Sequence, residues 1–557
     1  MRAPAAMACA ILLVAAPLPA HATITIVNMD GPNEGFNDTT TVAPVGGNPG
    51  TTVGQQRLNV FDRAAQIWDA IVQSPVEIRI QASFDPLTCT ASSAVLGSAG
   101  PNTVESDFAG ATFPGTWYVT AEANRLTGSD LEPGTDDITA QFNSSIGQAG
   151  CLTGRNWYYG FDDNEGATGI DLLPVLLHEF GHGLGFLTTT DESTGDYLAG
   201  QPSIFDRYLM DDQSGKHWFE MTPAERVASA INTDHLVWDG PSVMGAAPRT
   251  LGKRPHVVTS GALTGDFMAG EGVIGPRLTT TGVSGDLVRV NDGVSPTSDG
   301  CESPFVNAAA VAGKIAVIDR GTCTFAQKAI NAQAAGAIAV LIVNNAAGPA
   351  PAVGGSAPTV SIPVASVSQA DGGAIETAMG SGTVHAKLAL DPAHLAGAND
   401  ADQVWMFAPN PDQPGSSVSH WDVAAFPNLL MEPAINPDLT TNVDLTYNAF
   451  DDIGWFPQLA AVGGSAAGVA LAAAPNPAAQ GGTLRFRLPV AGRVELSVFD
   501  AAGRRVARLA QGPFTAGEHA VAWDGRDAAG HPAGPGVYLV RLRSGALERT
   551  TSVVLLR

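Results

Sequence analysis

Cysteine and positive charge are both scarce in this chain. Its 557 residues include five cysteines, and Cys9 lies inside the first apolar run. No Cys-x-x-Cys pair occurs, which disfavours thiolate metal sites. Lysine and arginine total 29 against 54 aspartates and glutamates, a formal charge of −25. Phosphate backbones would be repelled, so no nucleic-acid partner is expected. Beyond residue 22 no stretch offers about eighteen uninterrupted apolar residues, so no membrane span is expected. The Ala/Gly-rich run 459–474 reads as a flexible linker. A Gly-x-Ser-x-Gly nucleophile elbow is also missing, which removes the usual serine-hydrolase signature.

What is present begins with Arg2, an apolar run from Ala8 to Leu18, and Ala20-His21-Ala22. This has the form of a secretory signal peptide spanning 1–22. A secreted, extracellular location follows as an expectation, with bacterial outer-membrane export and surface attachment as its extension. In an oxidising compartment, the even set Cys89, Cys151, Cys301 and Cys323 is expected to form Cys89–Cys151 and Cys301–Cys323, each pair within one domain.

Periodicity then marks the first folded part. Leu58, Phe61, Ala64, Ala65, Trp68 and Ile71 recur at helical spacing, predicting an amphipathic helix over about 54–73. Val76, Ile78, Ile80 and Ala82 alternate, as does Ile138-x-Ala140-x-Phe142, predicting half-buried strands. A second helix follows Asp171, a good N-cap, with Pro174 in its first turn and Leu172, Leu173, Val175, Leu176 and Leu177 to bury it.

That second helix holds His178-Glu179-Phe180-Gly181-His182. Residues four apart share a helix face, so His178 and His182 can direct two imidazoles at one ion. Glu179, on the adjoining side, can reach a water bound there and take its proton. With 11 histidines in the chain, a chance His-Glu-x-x-His is expected on the order of 0.01 times. Zn²⁺ is the ion that neutral imidazoles suit. A catalytic zinc site needs a third protein ligand and one open position. Gly185 allows a sharp turn away from the helix. In the metzincin pattern a histidine would follow three residues later, but Thr188 stands there. Rivals for the third position are Asp191, Glu192 and Asp196, whereas His217 and His235 lack a matching context. Asp162, Asp163 and Asn164 form an acidic turn open to Ca²⁺ without further support for it.

From about Gly252 the composition shifts to Gly, Val, Thr and Ala. Strand Ile315–Ile318, the run Arg320-Gly321-Thr322-Cys323-Thr324-Phe325, an Ala-rich helix and strand Ile338–Val343 resemble the protease-associated domain. That likeness implies an inserted α/β module over 251–395, without catalytic residues. After it come Ser419-His420-Trp421, then Leu430-Met431-Glu432-Pro433, then Phe450-Asp451-Asp452-Ile453-Gly454-Trp455. This succession resembles the leishmanolysin family of metzincins. The resemblance implies His420 as the third zinc ligand, Glu179 as the general base and Met431 as a methionine-turn residue beneath the metal. The insertion, the few cysteines and the lack of a pro-region depart from that family. From Pro475 onward, short alternating strands between Gly/Asp turns predict a small β-sandwich. It resembles the immunoglobulin-like C-terminal domains of bacterial secreted proteins, among them type IX secretion tails and hook-capping modules.

The expected fold is thus multidomain. It comprises an α+β zincin-like catalytic domain in two parts (23–250 and 396–458), the inserted module, the linker and a C-terminal sandwich over 475–557. The expected activity is zinc-dependent endopeptidase action on a protein or peptide substrate, with the sandwich contacting secretion machinery or a cell surface. Two alternatives stay open: an inactive adhesive protein on a zincin scaffold, and a His₂-carboxylate zinc hydrolase of another clan.

Overall fold

The computed structural model describes residues 23–72, 74–436 and 439–456, and within the C-terminal stretch 470–474, 478, 481–488, 492–499, 504–515, 517–528, 530–534, 536–544 and 547–555. The expected signal peptide, most of the linker and Pro475–Pro477 lie outside the described residues. The chain divides into two compact units, one running to Trp455 apart from Ala70–Val72 and one from Phe456 onward.

In the first unit, helix Val53–Val72 and a four-stranded sheet make the layer on which the metal-motif helix Leu172–Gly183 rests. Ile24–Asn28, Ile78–Asp85 and Ile138–Asn143 run parallel, and Gly97–Pro101 closes one edge antiparallel to Ile138–Asn143. Alternation places Ile78, Ile80, Ala82 and Phe84 inward. Phe61 of the first helix meets Phe142 of the sheet and Phe180 of the motif helix at ring distances of 4.9 and 6.0 Å. Glycine permits the closest approach. A Cβ at Gly183 would stand 2.5 Å from Ile138 Cγ2, so any larger residue would lift the helix off the strand. The Cys89–Cys151 bond staples the loops beside this sheet.

The inserted module is a separate layer. Val283–Arg289, Ile315–Asp319, Ala339–Val343 and Val364–Val367 are parallel neighbours, and Val384–Leu395 pairs antiparallel with both Val283–Arg289 and Lys253–Gly261. Cys301–Cys323 bridges its loops. Its two ends lie side by side: Lys253 faces Leu395 in register, and Ala396 N–H donates to Gly252 O at 2.9 Å. A module whose ends meet can be inserted without separating the flanking chain. After it, Val404–Trp405 pairs with Leu236–Trp238, returning the chain to the first part. Helix Asp444–Ile453 then closes the unit. Its Asp452 carboxylate accepts from Trp238 Nε1 and from the N–H groups of Ser242 and Val243, capping helix Pro241–Thr250.

The second unit has a three-stranded sheet (Ala470–Ala474, Gly482–Leu488, Gly517–Trp523) and a four-stranded one (Arg505–Phe514, Gly492–Phe499, Gly536–Ser544, Leu547–Leu555). Leu484, Phe486, Leu496, Val498, Trp523, Val540 and Leu542 fill its core. One correction concerns the linker: residues 470–474 form a strand in register with Thr483–Arg487. Small alanines neither signal nor obstruct strand pairing, so backbone hydrogen bonds to a partner strand decide the matter. No helix among the described residues is long and apolar enough to cross a membrane.

Candidate metal centre

Asp171 caps the motif helix as expected, accepting the Leu173 N–H at 3.0 Å. After Gly183 the chain turns through Gly185, whose φ is +115°. The helix presents His178 and His182 on one face. His420, 238 residues beyond His182, joins them. The three Nε2 atoms lie 3.1, 3.1 and 3.2 Å apart. Among the described residues, this is one of two groups whose ligating atoms gather closely enough to share an ion.

The tautomers are set from behind. Each Nδ1 lies 2.7 Å from a backbone carbonyl: His178 at Leu430 O, His182 at Phe186 O and His420 at Ser416 O. A carbonyl only accepts, so each Nδ1 carries the proton and each Nε2 turns a bare lone pair toward the other two. Three acceptors at such separations cannot hydrogen-bond to one another; they call for a cation between them. Tetrahedral nitrogen ligands about 2.0–2.1 Å from zinc stand about 3.3–3.4 Å apart, which fits the observed spacing. Burial also keeps the rings neutral: desolvation lowers His178 to about 4 and His182 to about 3, and His420 falls well below its ordinary value.

This burial has a measurable consequence. The folded imidazoles refuse protons that the unfolded chain accepts below about 6.5. Metal-free protein should therefore lose stability as pH falls from about 6.5 toward 4. Thermal melts in EDTA should show that slope, and replacing all three histidines by asparagine should flatten it. An equal slope in the substituted protein would contradict the assignment.

Glu179 is nearly buried and accepts a backbone hydrogen bond from Ala99, on the edge strand. Burial pushes its carboxyl up to about 8, with the Ala99 bond opposing; a cation beside it would draw it down again. Met431 lies under the helix, where a Cβ at Gly181 would come 2.8 Å from its Sδ. Trp421 is fully buried, with its ring 5.0 Å from Phe186 and its backbone N–H donating to Met431 O at 2.8 Å. Asp444 accepts the Leu430 N–H at 2.5 Å, so the closing helix steadies the carbonyl that orients His178.

The other candidates lie elsewhere. Asp191 is occupied by Ser193 and Thr194 in a turn, and neither it, Glu192 nor Asp196 joins the histidine group. His217 pairs with Asp239 at 2.6 Å and His235 with Asp212 at 2.7 Å. Asp162 accepts the Tyr158 hydroxyl, and the acidic turn does not gather a third acid within ligating reach. The second gathering is Asp292, Asp299 and Glu302 in the inserted module, unforeseen because its members are loop residues with no motif spacing. Sequence reasoning also missed Gly181 and Ala99. A small residue between Glu179 and His182 was the available signal for the first; Ala99 had none.

Comparison with known proteins bears on the flanking modules. The profile of the PA domain matches residues 283–375, and that of the FlgD Ig-like domain matches 476–546. The chain is 44% identical over 82 residues to a probable leucine aminopeptidase 2 of Aspergillus fumigatus, covering 14% of this chain and 16% of that protein. It is 32% identical over 114 residues to the minor extracellular protease Vpr of Bacillus subtilis, covering 19% and 14%. Among solved structures, a zinc aminopeptidase from Bacillus subtilis matches 27% of this chain and 36% of its own at 26% identity, with a TM-score of 0.19. The chain thus spans about one sixth of the length of these curated relatives. The protein is a multidomain α/β chain with a PA domain and a C-terminal Ig-like domain.

Proposed function

We propose that the chain is a secreted zinc-dependent endopeptidase with a leishmanolysin-like ligand set. The observation that supports this most is the convergence of three Nε2 lone pairs whose Nδ1 protons are all given to backbone carbonyls. His178, His182 and His420 would hold the metal. When bound, zinc supplies a Lewis acid that lowers the pKa of water toward about 7 and polarises a scissile carbonyl.

The chain's own groups do the rest. Glu179 accepts the proton of the attacking water and delivers it to the leaving amine. Ala99 N–H holds that carboxylate toward the edge strand. Gly97–Pro101 pairs on one side with Ile138–Asn143 and ends the sheet on the other. An extended peptide can add there as a further strand, its main chain running past Glu179. The N-terminal 22 residues support export, and the FlgD Ig-like stretch supports a role in surface attachment or secretion.

A second reading, aminopeptidase action, draws on the aminopeptidases among the relatives. The two separate on substrate. Casein and an N-terminally blocked peptide should be cut internally, with 1,10-phenanthroline stopping the reaction, while aminoacyl nitroanilides should be poor substrates. Hydrolysis confined to free N-termini would favour the aminopeptidase. Casein cleavage indifferent to the chelator would remove the metal from both readings.

A further inference from the structure

Behind the histidines lies a second buried carboxylate that the chemistry above does not use. Asp206 is fully buried. Its oxygens accept from Thr188 Oγ1 at 2.5 Å, Thr190 Oγ1 at 2.9 Å and the Ser203 N–H at 2.8 Å. Thr188 is the residue at which a third histidine would be expected after Gly185. Its hydroxyl is bound to Asp206, and its backbone N–H donates to Ser419 Oγ at 3.1 Å. Ser419 immediately precedes His420.

The loop that presents His420 needs such a tether. Residues 411–419 belong to no helix or strand. Val418, two positions before His420, has a φ of +65°, a region that β-branched side chains avoid. Such a conformation persists only where surrounding contacts over-determine the backbone. Some contacts come from within the second part: Phe407 N–H donates to His420 O, and Val418 N–H to Phe407 O. Thr188–Ser419 instead joins this loop directly to the segment leaving the motif helix.

We propose that Asp206 is a positioning residue for the metal centre: by fixing Thr188 it holds the amide that anchors Ser419, and so keeps the His420 ring aligned with His178 and His182. This rests on the three-histidine reading above. It assigns Thr188 a role opposite to its apparent one. The position is not an empty ligand site but the hinge pin between the two halves of the ligand set.

The test uses the full-length protein as wild type, Asp206→Asn, Ser419→Ala, Thr188→Val and Thr188→Ser. Asparagine offers one acceptor oxygen where the carboxylate offers two, so at least one donor is stranded. Zinc release to excess EDTA should be about 10–100-fold faster in Asp206→Asn, Ser419→Ala and Thr188→Val, as for loss of groups that orient ligands. The visible bands of the cobalt-substituted protein should shift in the same three. Thr188→Ser, which keeps the hydroxyl, should match wild type in both measurements. If Asp206→Asn does not fold, Ser419→Ala carries the same expectation without removing a buried charge. Variants that melt earlier yet release zinc at the wild-type rate with unchanged cobalt bands would overturn the proposal alone. A wild type that binds no zinc, or His420→Ala protein that keeps a full equivalent, would overturn the three-histidine reading and this proposal with it.

Discussion

Glu179→Gln protein should fold, bind one equivalent of zinc and cleave casein at least about 10²–10⁴-fold more slowly than wild type, the range associated with a positioned general base. The amide keeps the size of the carboxylate and can still face Ala99, so the fold loses little. It cannot take a proton. Glu179 is outside the group of atoms close enough to share the ion, so zinc content should not change. The comparison is therefore a ratio of turnover at equal metal content, measured beside melting temperature. A site that merely braces the fold has no need of a buried carboxylate at this position, since a buried acid without a counter-charge opposes folding. If wild type and Glu179→Gln degrade casein equally, the proposed base is wrong. If neither degrades it although both hold zinc, the inactive-scaffold alternative gains.

Much of this arrangement was legible where chemistry or periodicity is local. The motif helix showed its cap, its first-turn proline and its histidine spacing within a dozen residues, and Asp171 does cap it. The helix predicted over 54–73 runs from Val53 to Val72. The inserted module announced itself by a composition that differs from what surrounds it; the PA domain matches 283–375, and Ala396 N–H reaches Gly252 O.

Other features were hidden for physical reasons. Gly97–Pro101 contains two glycines and a proline, so nothing in its pattern announces an edge strand; pairing with Ile138–Asn143 creates it. Gly181 reads as a helix weakness until Met431 is seen beneath it. Asp206 stands between Phe205 and Arg207 in a stretch with no motif spacing, and only the folded chain brings Thr188, Thr190 and Ser203 to it. Local propensity cannot report contacts between residues hundreds of positions apart. What made His420 accessible was its neighbourhood, Trp421 and then Met431, and not the histidine itself.

His420→Ala should be the more severe change for the metal. Loss of groups that only orient ligands lowers metal affinity by about 10–100-fold, and loss of a ligand should exceed that. We expect protein purified without added metal to retain well under one equivalent of zinc and no measurable casein cleavage. His217→Ala and His235→Ala are the matched controls, because each removes an imidazole that is paired with an aspartate away from the site. Both should keep the full equivalent. The rival assignment predicts otherwise: were Asp191, Glu192 or Asp196 the third ligand, His420→Ala would still hold zinc and only its packing would suffer. Folding is separable from coordination because His420 donates Nδ1–H to Ser416 O within its own loop. His420→Asn keeps some of that polarity without an imidazole, and should lose zinc as alanine does while melting closer to wild type. Zinc retained near one equivalent in both His420 variants would dismantle the three-nitrogen cage, and with it the leishmanolysin-like reading of the distant second part.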